Sequence, residues 1–176
     1  MLISNHENLH SMTHQDIEEV KELLSTRKSI VIVTHKNPDG DAMGSSLGLY
    51  NYLLRKKHHV KVITPNDYTT FLQWLPGNDK VIEHSENLKE AEARIKKADI
   101  LFCLDFNAFR RIGDVGKLVK KSKATKILID HHPLPEKFAR YTMCDKNACS
   151  TSQLIFDFIL LMGDKKRINR KIANCL

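Results

Sequence analysis

The stretch Ile30-Val31-Ile32-Val33-Thr34-His35-Lys36-Asn37-Pro38-Asp39-Gly40-Asp41 decides how the chain reads. Its unbroken apolar, β-branched start is the pattern of a strand buried on both faces of a parallel sheet. The Pro-Asp-Gly-Asp turn then sets polar side chains at the carboxyl end of that strand. The pattern recurs where Ile100-Leu101-Phe102-Cys103-Leu104 runs into Asp105-Phe106-Asn107, and again where Ile127-Leu128-Ile129 runs into Asp130-His131-His132. Open α/β sheets bind ligands outside the carboxyl ends of their strands, so acidic segments distant in sequence converge on one crevice. The expected fold is α/β, a doubly wound, mostly parallel sheet with helices on both faces.

Carboxylates and imidazoles with no thiolate beside them suit a divalent ion such as Mn²⁺ or Mg²⁺, the histidines favouring Mn²⁺, rather than a structural zinc. Two ions about 3.5–4 Å apart, sharing a carboxylate, stabilise both the attacking and the leaving oxygen of a displacement at phosphorus. Asp39 and Asp41, two residues apart on a tight turn, are placed to reach different ions. Each segment also has a plainer reading. Pro-Asp-Gly is an ordinary turn, with Asp41 as the N-cap of the next helix, and Asp105-Phe-Asn reads as an Asx turn. Asp130-His131-His132 is harder to treat this way, because polar side chains at the end of a buried strand are costly without partners.

The pattern His35-x-x-x-Asp39-x-Asp41-Ala42-x-Gly44-Ser45, followed by Asp105 and then Asp130-His131-His132, resembles the DHH phosphoesterase superfamily. Phe71-Leu72, Leu75-Pro76-Gly77 and Arg111-Ile112-Gly113 resemble, more narrowly, its oligoribonuclease and phosphoadenosine-phosphate phosphatase branch, sometimes labelled exopolyphosphatase-related. The resemblance implies His35, Asp39 and Asp105 on one Mn²⁺, with Asp105 bridging. It implies Asp41, Asp105 and His131 on the second, His132 facing the substrate phosphate, and Asp130 orienting the histidines. Asp130 and His132 are thus the expected catalytic pair beside the ions. Arg111, or else Arg110, is a candidate phosphate clamp, and both also read as a solvated basic helix start.

The same resemblance implies an enzyme that hydrolyses phosphoester bonds of short oligonucleotides or nucleotide phosphates, with a hydroxide activated by two ions as nucleophile. Residues 1–176 read as one DHH-type domain. The family's fourth acidic motif, a Thr-Asp-Thr-Gly-like segment, follows a helix similar to Ile168–Ala173, and the chain stops at Leu176 before it. The family's C-terminal substrate-gripping domain is likewise expected to be missing. Three alternatives stand beside this reading: a family II inorganic pyrophosphatase or polyphosphatase, a RecJ-type exonuclease, and a catalytically silent nucleotide- or metal-binding fragment.

Composition agrees with one domain of ordinary size: 41% of residues are hydrophobic and 28% charged. No apolar stretch approaches the roughly 18 residues of a membrane span. Met1 to Glu7 lacks the basic start and long apolar stretch of a secretory signal, so a cytoplasmic location is expected. The net charge of +7 suits a polyanionic substrate without identifying one. Aromatic residues, at 7%, are not interleaved with the basic runs as a single-strand stacking platform requires. Cys103, Cys144, Cys149 and Cys175 form no Cys-x-x-Cys pair and are expected as free thiols. A nucleotide-phosphate substrate is the expected partner, no membrane is, and a homodimer is compatible with the sequence.

The scaffold reads as follows. Glu18 to Leu24 is an amphipathic helix. Ala42 to Leu54 is a second, with Leu47, Tyr50, Leu53 and Leu54 toward the sheet and Gly44 and Gly48 allowing close approach of a strand or ligand. Val60 to Ile63 is a strand, Asp67 to Gly77 a loop or short helix, Leu88 to Lys97 a helix and Tyr141 to Cys144 an edge strand. Ser150-Thr151-Ser152 caps a helix from Gln153 to Met162, with Leu154, Ile155, Phe158, Ile159 and Leu161 in the core.

Overall fold

A computed structural model describes residues 12–176; the reading of Met1 to Glu7 falls outside them. Strands β1 (Ser29–Val33), β2 (His59–Thr64), β3 (Ile82–Glu83), β4 (Ile100–Leu104), β5 (Thr125–Asp130) and β6 (Tyr141–Cys144) form one sheet in the order β3-β2-β1-β4-β5-β6. Every pair is parallel. The helices are α1 (His14–Leu23), α2 (Gly40–Arg55), α3 (Leu88–Lys97), α4 (Val115–Lys121), α5 (Thr151–Leu161) and α6 (Arg170–Ala173).

Alternation along each buried strand divides the core in two. Ile30, Ile32, Ile100, Phe102, Ile127 and Ile129 face one layer, built with α1, α2, α5 and α6. Val31, Val33, Leu101, Cys103 and Leu128 face the other, built with α3 and α4. The division follows from connection handedness: β1 steps to β2 in one direction and β4 to β5 in the other, so right-handed crossovers send α2 and α4 to opposite faces. The order reverses between β1 and β4. That switch point is where such sheets open a crevice at their carboxyl ends.

Several expectations are corrected at element ends. α1 begins at His14, earlier than its apolar face, because Thr13 and Asp16 form a reciprocal capping box. β3 is two residues long, too short for a hydrophobic pattern. Leu54 and Leu161, expected in the core, are 41% and 40% exposed, since each lies on the last turn of its helix. The neighbours of Gly44 and Gly48 are not strand residues. A Cβ at Gly44 would lie 2.5 Å from the Cys175 carbonyl oxygen, and one at Gly48 2.5 Å from Leu176 Cδ2, so they admit the segment following α6. Among the described residues no helix is long and apolar enough to cross a membrane.

One polar cluster ties α2 to the turn after α5. Asp164 accepts hydrogen bonds from the Tyr52 hydroxyl at 2.6 Å, Lys56 Nζ at 2.8 Å and Arg167 Nε at 2.8 Å. Burial opposes ionisation of Asp164, but the hydrogen bonds from Lys56, Tyr52 and Arg167 outweigh it and hold the carboxyl at about 2. Asp164→Ala strands the buried Tyr52 hydroxyl and should cost about 1–3 kcal/mol in urea unfolding at neutral pH. Because the folded value lies below the unfolded one, about 3.9, the stabilisation is complete above that pH and is lost as pH falls toward 2. The stability gap between parent and variant should close over that window.

Candidate metal centre

The carboxyl ends of β1, β4 and β5 carry the three segments singled out in the sequence, and parallel register brings them side by side. Asp105 ends β4 with φ of 62°, a left-handed conformation that Asp tolerates better than most residues and that turns its side chain into the crevice. It is 2% exposed. Its two oxygens face opposite ways. Oδ2 lies 3.4 Å from His35 Nε2, whereas Oδ1 lies 3.7 Å from His131 Nε2 and 3.7 Å from His132 Nδ1. His35 Nε2 is also 3.9 Å from Asp39 Oδ1.

Two groups bring ligand-capable atoms within 4.8 Å of one another: His35 with Asp39 and Asp105, and Asp105 with His131 and His132. Asp105 belongs to both. The first group matches the expected set. The second differs, because His132 packs edge-on against His131, with ring centroids 4.7 Å apart, and enters the group in place of Asp41.

Asp41 is engaged elsewhere, although its Oδ2 lies 3.7 Å from His131 Nε2. Its carboxylate accepts the amide protons of Thr151 at 2.7 Å and Ser152 at 2.8 Å, the first two residues of α5. Asp41 is not the N-cap of α2. That role falls to Asp39, which accepts from the amides of Asp41 and Ala42, both at 3.0 Å. The amino ends of α2 and α5 thus both point at the site, an arrangement that favours anions.

Each histidine is oriented by an acceptor on Nδ1. His35 Nδ1 lies 2.8 Å from the Lys36 carbonyl oxygen and His131 Nδ1 3.4 Å from that of Ala148. A carbonyl only accepts, so Nδ1 carries a proton in each; a protonated Nε2 donates to the carboxylates, and a deprotonated one turns to them the lone pair that metal-ligating imidazoles require. His132 donates through Nδ1 to Asp130 Oδ1 at 2.8 Å, which turns its Nε2 away from Asp105. Asp130 is fully buried and its Oδ2 has no partner among the described residues. The donor set and the fixed tautomers fit a divalent ion with oxygen and nitrogen ligands.

The electrostatics couple these groups. Burial lowers the basicity of His35, but its hydrogen bonds to Asp105 and to Lys36, with the charges of Asp105 and Asp39, raise it above the ordinary histidine range. Burial raises Asp105, yet hydrogen bonds from His35 and Thr151 hold it below the ordinary carboxylate range. Asp130 is raised, burial outweighing the bond to His132.

Arg110 and Arg111 sit on the short helical turn Phe109–Ile112. The Arg111 carbonyl accepts from the Lys36 amide at 2.8 Å, pinning this turn to the His35 loop. Neither guanidinium makes a hydrogen bond or ion pair among the described residues. Reading the sequence missed Thr151, whose hydroxyl donates to Asp105 Oδ1 at 2.8 Å. Its only local signal was the run Ser150-Thr151-Ser152, read there as a helix cap. It also missed Asn66, which exchanges hydrogen bonds with Asn37 at 2.8 and 2.9 Å and holds that residue at φ of 54°.

The chain belongs to the DHH family: it matches the N-terminal domain of that family over residues 29–176. It is 34% identical over 134 residues to the bifunctional oligoribonuclease and PAP phosphatase NrnA of Thermus thermophilus, a match covering 76% of this chain and 37% of that protein. It is 27% identical over 164 residues to the cyclic-di-AMP phosphodiesterase GdpP of Bacillus subtilis, covering 89% of this chain and 25% of that one. The crystal structure of an exopolyphosphatase-related protein from Bacteroides fragilis matches with a TM-score of 0.91 and 40% identity, over 93% of this chain and 48% of that one. Exonuclease RecJ bound to manganese matches at a TM-score of 0.52 and 12% identity, over 93% of this chain and 41% of that one, a likeness of fold alone. The chain therefore spans less than half the length of each of these proteins.

Removing the acceptor of His132 tests the orientation of that ring. In Asp130→Ala the Nδ1 proton signal of His132, protected in the parent, should be lost to solvent exchange in ¹H–¹⁵N spectra, while that of His35 persists. A His132 signal unchanged in the variant would contradict the assigned contact.

Proposed function

We propose that this chain is the metal-binding domain of a phosphoesterase that hydrolyses phosphoester bonds of short oligonucleotides or nucleotides carrying an extra phosphate. The observation that carries the reading is Asp105, a buried carboxylate with one oxygen turned to His35 and the other to His131. His35, Asp39 and Asp105 would hold one divalent cation, and Asp105 and His131 a second, with Mn²⁺ preferred. Asp41, whose Oδ2 lies 3.7 Å from His131 Nε2, would be a further ligand at the second position. Two cations there supply a lowered pKa for bound water and charge neutralisation at phosphorus.

The chain's own groups do the rest. The amino ends of α2 and α5 favour an anion over the site. His132, held by Asp130 with Nε2 outward, faces the phosphate and serves as hydrogen-bond donor or proton carrier to it. Arg111, half-buried on its turn, is the phosphate clamp, with Arg110 beside it. The substrate class is supported by the names of the two relatives, an oligoribonuclease and phosphatase and a cyclic dinucleotide phosphodiesterase. The match to a DHH N-terminal domain over residues 29–176 supports treating the chain as one domain of that type.

Calorimetric titration with Mn²⁺ tests the arrangement. The parent should take up two ions per chain, His35→Ala one, and Asp105→Asn neither with the parent's affinity. With Mn²⁺ bound, the parent should release mononucleotides from a dinucleotide and leave pyrophosphate intact. Preferential cleavage of pyrophosphate would favour the pyrophosphatase reading, and absence of ion uptake would overturn the metal assignment.

A further inference from the structure

The carboxyl edge of the sheet continues from β1 to β2 and β3, and a second cavity opens there with a volume of about 310 Å³, at the small end of ligand sites. Lys36, Asn66, His84, Ser85 and Asp114 supply its polar lining. His84 is only 7% exposed, and its ring makes no hydrogen bond among the described residues, although its backbone amide donates to the Thr64 carbonyl at 2.8 Å. Its ring nitrogens are therefore left to the cavity, where water or a ligand completes them. The ammonium of Lys36 likewise has no acid within ion-pair distance among the described residues. Asp114 is the acid of the cavity, and its charge is already answered by Lys117 at 2.9 Å. Its carboxyl is held low first by that hydrogen bond and further by the fields of His84 and Lys36, which places both near it. A cation, an imidazole and a hydroxyl converging on one cavity, whose remaining wall includes Pro65 and Leu88, make a phosphate-binding set.

Lys36 joins this cavity to the metal centre. Its carbonyl holds His35 Nδ1 at 2.8 Å, while its side chain lines the cavity. The metal groups gather over β1, β4 and β5, the cavity over β1, β2 and β3. His35 and Asp39 carry the first metal group to the end of β1, one strand spacing, roughly 5 Å, from β2. One nucleotide unit bridges such a span between two of its phosphates.

We infer that this cavity is a second phosphate site, which takes the non-reacting phosphate of a substrate whose scissile phosphate lies at Asp105. The identity of that substrate rests on the phosphoesterase reading; the anion chemistry of the cavity rests on its own residues. Two measurements separate them. In EDTA, inorganic phosphate should shift the His84 ring signals saturably in NMR spectra, and His84→Leu, with its fold checked by thermal melting, should abolish saturable binding. Shifts confined to His35, His131 and His132, or no saturable shift, would overturn the inference. In Mn²⁺, His84→Leu should raise KM about tenfold for adenosine 3′,5′-bisphosphate with kcat unchanged, a loss equal to one good contact. KM for a nucleotide with a single phosphate should stay as in the parent, and an equal rise for both would overturn the subsite. If the parent hydrolyses neither, the phosphoesterase reading fails for this chain, and the metal-free titration alone decides the cavity.

Discussion

A single buried carboxylate at the end of the central strand organises the crevice. Asp105 is held in a left-handed backbone conformation, nearly sealed from solvent, with its oxygens turned to opposite sides. A buried carboxylate is costly unless its lone pairs are used. His35 and Thr151 use them within the protein, and the position of Asp105 between two imidazole-bearing loops leaves one oxygen for each. The strand order makes this possible. At the switch point between β1 and β4 the ends of β1, β4 and β5 present these side chains to a common space.

The sixth strand and the helix after it complete the arrangement. α5 returns along the face it shares with α2, and its amino end binds Asp41 through two amides and Asp105 through a hydroxyl. A helix with an almost wholly apolar body thereby fixes two acidic side chains from other parts of the chain. Gly44 and Gly48 let α2 lie close enough to Ser152 and the segment after α6 for this docking to occur. The scaffold and the chemistry share residues, so substitutions in α5 that leave the core intact still alter the site.

Much of this was legible in the sequence because strands buried on both faces announce themselves as apolar runs, and polar residues that follow such runs stand out. Ile30–Val33, Ile100–Leu104 and Ile127–Ile129 were readable for that reason, and with them His35, Asp39, Asp105 and the Asp130-His131-His132 segment. What was not legible depends on contacts between distant residues. Thr151 lies 46 residues from Asp105, and nothing local distinguishes its hydroxyl from that of an ordinary cap. The engagement of Asp41 by α5, 110 residues away, is equally silent in the sequence. Asp39 rather than Asp41 caps α2 because the helix starts at Gly40, a shift within the usual ambiguity of helix ends.

Anomalous diffraction at the manganese edge from crystals soaked in Mn²⁺ tests the two-sided role of Asp105 most directly. The account predicts two peaks flanking that carboxylate, one toward His35 and Asp39 and the other toward His131. A single peak on one side, or peaks that leave Asp105 uncoordinated, would contradict it.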